Sequence, residues 1–156
     1  MTNEQLEQFM RESNWIEGER TVTMDEGTIG ILHKNDLSAA AAFLAEPMTE
    51  KSLKKLHYDL SEGRPIKRGE WRDCDVQVGS YIAPEPALVP KQMKTFIRQL
   101  PMLDAWEAHN IFEKIHPWQD LNGRTGRLIW LHKMEGETEL PFLHRYYYQT
   151  LAHSNL

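Results

Sequence analysis

The feature that most constrains this chain is a twelve-residue stretch with a helix pattern on each side, His116-Pro-Trp-Gln-Asp-Leu-Asn-Gly-Arg-Thr-Gly-Arg127. The hydrophobic residues before and after it recur at helical spacing, which predicts a loop between two helices. The first amides of a helix lack backbone partners and carry the positive end of its dipole. The stretch therefore predicts an anion-binding site at the start of the second helix, within a mainly helical fold.

The first half of the stretch carries a candidate base and a candidate metal ligand. His116 ends a predicted helix, and a neutral imidazole there can take the proton of an attacking hydroxyl because its pKa lies near working pH. Asp120 is a hard oxygen ligand suited to Mg²⁺, which binds through one or two carboxylates and substrate phosphates. Taken alone, the histidine also fits a helix cap or a packing residue, and the aspartate also fits a turn.

The second half carries anion-binding groups. The amides of Asn122 and Gly123, with the asparagine side chain, can cradle a phosphate, although the same pair also fits a plain helix cap. Arg124 and Arg127 lie three residues apart, so both can face one anion and bind its oxygens through paired hydrogen bonds. Solvated charges on a helix face are the alternative for the arginines. The ordered combination favours chemistry at a nucleotide phosphate.

Composition narrows the class of protein further. The 156 residues are 40% hydrophobic and 26% charged, which predicts a single globular domain over 1–156. The net charge of -5 argues against nucleic-acid binding, for which a broad basic face is usual. No apolar run approaches the roughly 20 residues of a membrane span. A single cysteine, Cys74, and a polar amino terminus without a signal-peptide pattern fit a cytoplasmic location.

Hydrophobic spacing predicts a series of helices joined by short turns. They cover about 3–16, 36–44, 49–60, 91–100, 103–115, 122 to a break at Gly136, and 139–153, with Asp36 and Thr49 as helix starts. A polar turn is expected around 25–27. The segment 76–82 alternates apolar and polar residues around a glycine, which predicts a small β-hairpin within 71–90.

The stretch 116–127 resembles the signature of the Fic family, His-Pro-Phe-x-Asp/Glu-Gly-Asn-Gly-Arg-x-x-Arg. It matches at His116, Pro117, Asp120, Asn122, Gly123, Arg124 and Arg127, with Trp118 in place of the usual phenylalanine. The wider layout is similar from about Glu70 to Tyr148. The resemblance implies a mainly helical domain with a β-hairpin flap. It also implies transfer of AMP from ATP to a Ser, Thr or Tyr hydroxyl of a protein, with release of pyrophosphate.

The resemblance also implies a role for each matched residue. His116 is then the base, and Asp120 holds Mg²⁺. Asn122 and Gly123 form an anion hole around the substrate ATP. The two arginines of the signature, Arg124 and Arg127, hold the outer phosphates of the nucleotide.

A second match lies more than a hundred residues earlier, in the predicted helix 1–18. Ser13-Asn-Trp-Ile-Glu-Gly18 resembles the family's inhibitory motif, Ser/Thr-x-x-x-Glu-Gly/Asn, in the version that precedes the core. Ser13 and Glu17 are one helical turn apart, and a carboxylate there can pair with Arg127 and fill the space that a γ-phosphate needs. The pattern is common when taken alone. An alternative role for Glu17 is to position a water for removal of AMP from a modified protein.

One position departs from the family pattern. The first glycine of the signature is Leu121 here, and glycine tolerates a positive φ that a leucine side chain resists. If the amide at this position must line the phosphate cradle in a left-handed backbone, catalysis is weakened or lost, which leaves a nucleotide-binding protein. If the backbone is ordinary, the leucine is harmless.

The hairpin 76–82 also has two interpretations. It either covers a helix edge only, or its exposed edge pairs with a segment of a protein target, as the resemblance implies. Self-modification and a homo-oligomer are compatible with this scheme. The remaining histidines form no zinc-binding pattern and are expected on the surface or in the core.

Overall fold

The computed structural model describes residues 1–134 of the chain. Within them the helices are α1 Asn3–Ile16, α2 Asp36–Leu44, α3 Glu50–Leu60, α4 Val89–Gln99, α5 Ala105–Ile115 and α6 Asn122–Lys133. The strands are β1 Arg20–Thr23, β2 Gly27–Gly30, β3 Gln77–Val78 and β4 Tyr81–Ile82, and they pair antiparallel as two separate hairpins. The mainly helical fold with a small hairpin is as predicted. The break at Gly136 and the helix 139–153 lie outside the described residues.

Three helices begin at capping boxes, in which the side chain of the cap residue and the side chain three residues later each accept a hydrogen bond from the other residue's backbone amide. The cap residues are Thr2, Thr49 and Asp104. Helix α5 therefore begins later than predicted from residue 103, because Asp104 satisfies the first amides. Helix α4 begins earlier than predicted, at Val89, because Pro90 fits a first turn where its missing N–H is not needed.

The predicted capping role of Asp36 is wrong. The cap position of α2 is Asn35, and Asp36 is already the first helical residue. Its carboxylate instead accepts hydrogen bonds from the backbone amide of His33 and from the side chain of Asn14. These bonds join the start of α2 to the end of α1, so Asp36 fixes two helices rather than one helix end.

The hairpin of β1 and β2 was not predicted beyond its turn at 25–27. Its strand residues are largely exposed, so they show no buried face that would give a period-2 pattern. The β-branched run Thr21-Val-Thr23 before Gly27 was the available signal. The hairpin packs against α1 at Gly30, where an added Cβ would overlap the Arg11 carbonyl oxygen. This contact sets the direction of the chain that leaves α1.

The hydrophobic core brings the amino-terminal helix onto the helices of the signature. Helices α5 and α6 pack together, and α1 packs against α2, β2 and α6. Large side chains from α1, α5 and α6 are fully buried, among them Phe9, Met10, Phe112, Leu128 and Ile129. Each contributes roughly 1.5–3 kcal/mol of burial. The carboxyl end of α1 is thereby held over the amino end of α6. Within residues 1–134, no helix is both long and apolar enough to cross a membrane.

Candidate active site

The loop 116–121 connects α5 to α6 and begins with the predicted base. His116 caps α5 in a left-handed conformation, with φ of 51°, and donates its backbone N–H to Phe112. Its ring Nδ1 lies 3.1 Å from the carbonyl oxygen of Glu113. Since a carbonyl can only accept, Nδ1 carries the proton and Nε2 keeps a free lone pair. Burial lowers the pKa of His116 below its ordinary value, which keeps the ring neutral.

The aromatic rings of His57, Trp118 and Trp71 stack on one another and support the loop. His57 lies 4.2 Å from Trp118, and Trp118 lies 4.6 Å from Trp71, measured between ring centroids. Nδ1 of His57 accepts the amide of Gly69, so its Nε2 donates to the carbonyl oxygen of Asp120 at 3.0 Å. Burial lowers the pKa of His57 to about 4. This neutral core histidine therefore fixes the backbone of the candidate metal ligand.

The side chain of Asn122 spans the same loop. Its Oδ1 accepts the amide of Trp118, and its Nδ2 donates to the carbonyl oxygen of Trp118, both at 2.8 Å. We predicted that this side chain would help to bind a phosphate. In the structure it closes the loop instead, through its two bonds to Trp118. Asn122 is the first residue of α6 and belongs to the wall of the cleft.

Leu121 adopts the left-handed conformation that the missing glycine would adopt, with φ of 72°. Its side chain is buried at 3% exposure, and its amide donates to Oδ1 of Asp120. A left-handed backbone costs a residue with a Cβ about 1–2 kcal/mol. Of the two conformations considered for Leu121, the structure has the strained one, and the amide of Leu121 is engaged within the loop.

The amino end of α6 carries no side-chain cap. The first intrahelical bond is donated by Thr125 to Leu121, so the three preceding amides lack helical acceptors. A carboxylate from the end of α1 lies over this end, because a Cβ added at Gly123 would overlap Oε1 of Glu17. Glu17 thus occupies the position where a helix end attracts an anion.

The structure brings Ser13, Glu17 and Arg127 together. Arg127 donates from Nε to the hydroxyl of Ser13 at 2.7 Å and from Nη2 to the carbonyl oxygen of Ser13 at 3.1 Å. Nη2 also donates to Oε1 of Glu17 at 2.6 Å. The Arg127 side chain is 1% exposed, whereas that of Glu17 is 34% exposed. Glu17 and Ser13 therefore cover Arg127 from the side of the cleft.

The other signature arginine has a carboxylate partner that sequence reasoning missed. Arg124 donates from Nη1 to Oε2 of Glu19 at 2.9 Å, and Glu19 also binds Arg64 and His33. Burial tends to raise the pKa of Glu19, but hydrogen bonds from His33, Arg64 and Arg124 and the charge of Arg124 lower it to about 2. The sequence indicated Glu19 only by its position directly after Gly18. Gly18 has a φ of 81°, and the chain turns back over α6 at this residue.

A second missed carboxyl group lies on α5. Glu113 is buried, and burial raises its pKa to about 8, with Arg127 opposing the shift and Glu17 adding to it. Its Oε1 accepts no hydrogen bond within the described part of the chain. A Cβ added at Gly126 would overlap this oxygen, so glycine at this position lets α6 approach α5 closely.

Several of these groups line one cleft of about 440 Å³, whereas Arg127, Ser13 and Glu19 are not part of its wall. The volume is typical of small-ligand sites. Its wall includes His116, Asp120 and Gly123, together with Glu17 and residues of the hairpin β3–β4. The Asp120 carboxylate is exposed, and its Oδ2 accepts no hydrogen bond from residues 1–134. A single accessible carboxylate facing space for phosphates fits Mg²⁺, which takes few protein ligands.

The predicted hairpin forms the outer wall of the cleft. It turns at Gly79, which has a positive φ, and exposes the side chains of Val78 and Ile82. The hydroxyl of Tyr81 donates to the carbonyl oxygen of Lys114 at 2.6 Å and ties the hairpin to α5. The strands are two residues long and have no further strand beside them in the described chain.

The architecture and the site geometry define a Fic-type helical domain. The Fic/DOC family model matches residues 47–132, more than half of the chain, and the chain belongs to this family. It is 37% identical over 92 residues to the protein adenylyltransferase Fic of Drosophila melanogaster, which covers 53% of this chain and 19% of that protein. The corresponding protein of Drosophila persimilis is 36% identical over 92 residues, covering 53% and 18%. The chain spans about a fifth of the length of these relatives.

Solved structures show the same fold. A Fic family protein from Desulfovibrio desulfuricans superposes with a TM-score of 0.70 at 22% identity, covering 98% of this chain and 57% of that one. Fic-1 from C. elegans superposes with a TM-score of 0.66 at 20% identity, covering 94% and 54%. Nearly the whole chain is included in both superpositions, so the Fic-like fold predicted from the signature is confirmed.

Proposed function

We propose that this chain is a protein adenylyltransferase that transfers AMP from Mg·ATP to a Ser, Thr or Tyr hydroxyl of a protein. One observation carries the proposal: His116, whose Nε2 has no hydrogen-bond partner within residues 1–134, and the first residues of α6 belong to the wall of one cleft. A proton acceptor beside an anion site is what attack on a phosphate requires. The relatives named protein adenylyltransferase Fic point to the same reaction.

In this mechanism the hydroxyl proton of the target passes to Nε2 of His116 as the hydroxyl oxygen attacks the α-phosphorus. The new bond is a phosphodiester, the bond to the β-phosphate oxygen breaks, and pyrophosphate leaves with the electron pair. The first amides of α6 hold phosphate oxygens, and Arg124 and Arg127 bind the outer phosphates. Bound at Asp120, Mg²⁺ supplies charge neutralisation at the phosphates.

Restraint of this activity is the second part of the proposal. Glu17 occupies the anion site and covers Arg127, so the outer phosphates of ATP and this carboxylate compete for the same donors. Glu19 binds the second signature arginine, Arg124, through an ion pair. Both carboxylates belong to the segment that follows α1. Displacement of this segment would release both signature arginines together.

The test is transfer of label from α-labelled ATP with Mg²⁺, to the chain itself and to proteins of a cell lysate. We expect Glu17→Gly to increase labelling strongly and His116→Ala in that background to abolish it. Glu26→Gly is the matched control, because it removes an exposed carboxylate of the neighbouring hairpin turn that lies away from α6. Equal labelling by wild type and Glu17→Gly would reject the restraint, and labelling without His116 would reject the mechanism.

A second candidate function is nucleotide binding with weakened catalysis. The left-handed conformation of Leu121 favours it, because this position departs from the family signature and is strained. Calorimetry on Glu17→Gly separates the two candidates: binding of Mg·ATP without transfer of label supports the weakened protein. Hydrolysis of an AMP-modified target by wild type, lost in Glu17→Gly, would instead support AMP removal with Glu17 positioning the water.

A further inference from the structure

A buried arginine outside the signature connects the hairpin to the catalytic loop. Arg72 is 2% exposed, and its hydrogen-bond acceptors are all main-chain carbonyl oxygens. Nε donates to His116 at 2.7 Å, Nη1 to Cys74 at 2.9 Å, and Nη2 to Pro84 at 2.6 Å and to Ile115 at 3.2 Å. One guanidinium therefore binds four carbonyls from two separate parts of the chain.

These acceptors fall into two groups. Ile115 and His116 are at the carboxyl end of α5, where carbonyls lack helical donors and the dipole is negative, so a cation is stabilising there. Cys74 lies before β3 and Pro84 lies after β4, so they are the two ends of the hairpin segment. The backbone amide of Arg72 also donates to the carbonyl oxygen of Pro117, at 2.9 Å. Arg72 thus fixes both ends of the hairpin to the residue that carries the imidazole.

We infer that Arg72 is a positioning residue, which holds the imidazole of His116 and the hairpin 74–84 in one fixed relation so that a hydroxyl presented by the hairpin meets Nε2. The inference rests on the proposed transferase activity for its functional consequence. The geometry needs arginine, because a planar guanidinium directs five N–H donors in a fixed fork, whereas a lysine ammonium has one nitrogen. The bond from Tyr81 to Lys114 is a second tie between the hairpin and α5.

A kinetic experiment separates positioning from simple stability. In the Glu17→Gly background, we expect Arg72→Lys to lower the rate of labelling at saturating Mg·ATP by about 100-fold, the effect of misplacing reacting groups by about 1 Å. The dissociation constant for Mg·ATP should stay that of the parent, because α6 is not part of the Arg72 contacts. Arg72→Gln should behave like Arg72→Lys, since neither side chain can bind four carbonyls.

Arg68→Gln is the matched control. Arg68 is a nearby arginine whose guanidinium binds the carbonyl oxygen of Tyr58 and the hydroxyl of Ser61, both at the end of α3 and away from the hairpin. We expect its loss to leave the labelling rate unchanged. If Arg72→Gln does not fold, Arg72→Lys alone decides the outcome. A labelling rate for Arg72→Lys equal to that of the Glu17→Gly parent would overturn the inference.

Hydrogen exchange tests the contact without any transfer activity. In Arg72→Lys we expect faster exchange of the amides in 74–84 and 115–117, with α1 and α3 unchanged. Unchanged exchange in the hairpin, or an equal increase over the whole chain, would overturn the positioning role. If the Glu17→Gly parent transfers no label, the proposed function fails, and the exchange pattern still decides whether Arg72 joins the hairpin to the loop.

Discussion

The two signature arginines lie one turn apart on α6, but their surroundings differ. Arg127 is sealed by Ser13 and Glu17, which belong to α1 and its cap. Arg124 binds Glu19, and that carboxylate is shared with two further partners, Arg64 after α3 and His33 before α2. Arg127 is therefore bound by Ser13 and Glu17 at the end of α1. The carboxylate that binds Arg124 is shared with Arg64 and His33.

Because the partners differ, binding of a nucleotide would break different bonds at Arg127 and at Arg124. Exchange of Glu17 for a phosphate removes a carboxylate from Arg127 and from the amino end of α6 at once. Exchange at Arg124 removes one of the three partners of Glu19, which the other two still hold in place. Glu17 is thus the stronger competitor of ATP. Glu19 keeps Arg124 beside the cleft and restrains it less.

The sharpest comparison is the affinity for a non-hydrolysable Mg·ATP analogue, measured by calorimetry. We expect Glu17→Gly to raise the affinity about 10- to 100-fold, because hydrogen bonds to charged groups contribute about 1.5–3 kcal/mol. Glu19→Gln should raise it up to about fivefold, since a partly exposed ion pair contributes about 0.2–1 kcal/mol. The double variant should show the product of both gains if the two sides act independently.

Glu26→Gly serves again as control, with the affinity of wild type expected. A gain from Glu19→Gln that equals or exceeds the gain from Glu17→Gly would reverse the assignment of the stronger restraint. A double variant that gains far more than the product would mean that the segment after α1 moves as one unit.

The pH dependence of stability also distinguishes the two sides. Glu19 stays ionised down to a pKa of about 2, whereas burial raises the pKa of Glu113, beside Arg127, to about 8. Because folding tightens proton binding to Glu113, its contribution to the free energy of unfolding is complete below its ordinary pKa of 4.5. The contribution is lost as the pH rises through 8. For Glu19 the sign is opposite: its contribution is present above 4.5 and is lost as the pH falls through 2.

We therefore expect Glu113→Gln to remove a decline in stability between pH 4.5 and about 8 that wild type shows in urea unfolding. The slope for one proton is at most about 1.4 kcal/mol per pH unit. Glu85→Gln, at an exposed carboxylate, should keep the decline of wild type. Since Glu17 adds to the shift of Glu113, Glu17→Gly should move the decline to lower pH. Parallel curves for wild type and Glu113→Gln would contradict this assignment.

Most features predicted from the residue pattern were local, and the long-range contact that was predicted came from the family resemblance. Helical spacing gave the bounds of α1 correctly, and capping residues explain the small shifts at the starts of α4 and α5. The resemblance to two family motifs also predicted the pairing of Glu17 with Arg127, which lie 110 residues apart.

The features that were missed depend on contacts over long distances in the chain. Glu19 and Arg124 are 105 residues apart, and their bond exists because Gly18 and the unpredicted hairpin β1–β2 turn the chain back. Arg72 binds main-chain carbonyls, which every residue has, so no spacing of side chains indicates its partners. The raised pKa of Glu113 follows from burial between α5 and α6, which a pattern of single residues does not give.

The smallest change in stability is expected for substitutions of Leu121, the residue directly before α6. Its left-handed backbone costs about 1–2 kcal/mol, and its buried side chain returns about 1.5–3 kcal/mol. Leu121→Gly should therefore destabilise the fold by about 1 kcal/mol or less, whereas Leu121→Ala keeps the strain, loses the burial and should be about 1 kcal/mol less stable than Leu121→Gly. Urea unfolding of the two variants isolates the backbone strain, and equal stabilities would mean that the left-handed conformation costs nothing.

Activity at this position follows from the same geometry. The backbone of Leu121 already has the φ that a glycine favours, and its amide already binds Asp120. The strain is therefore a cost to folding, and the shape of the loop should be the same with either residue. In the Glu17→Gly background we expect Leu121→Gly to leave the rate of AMP transfer nearly unchanged. A large gain in labelling would show instead that the leucine side chain obstructs the site, and it would favour the weakened nucleotide-binding protein over the working transferase.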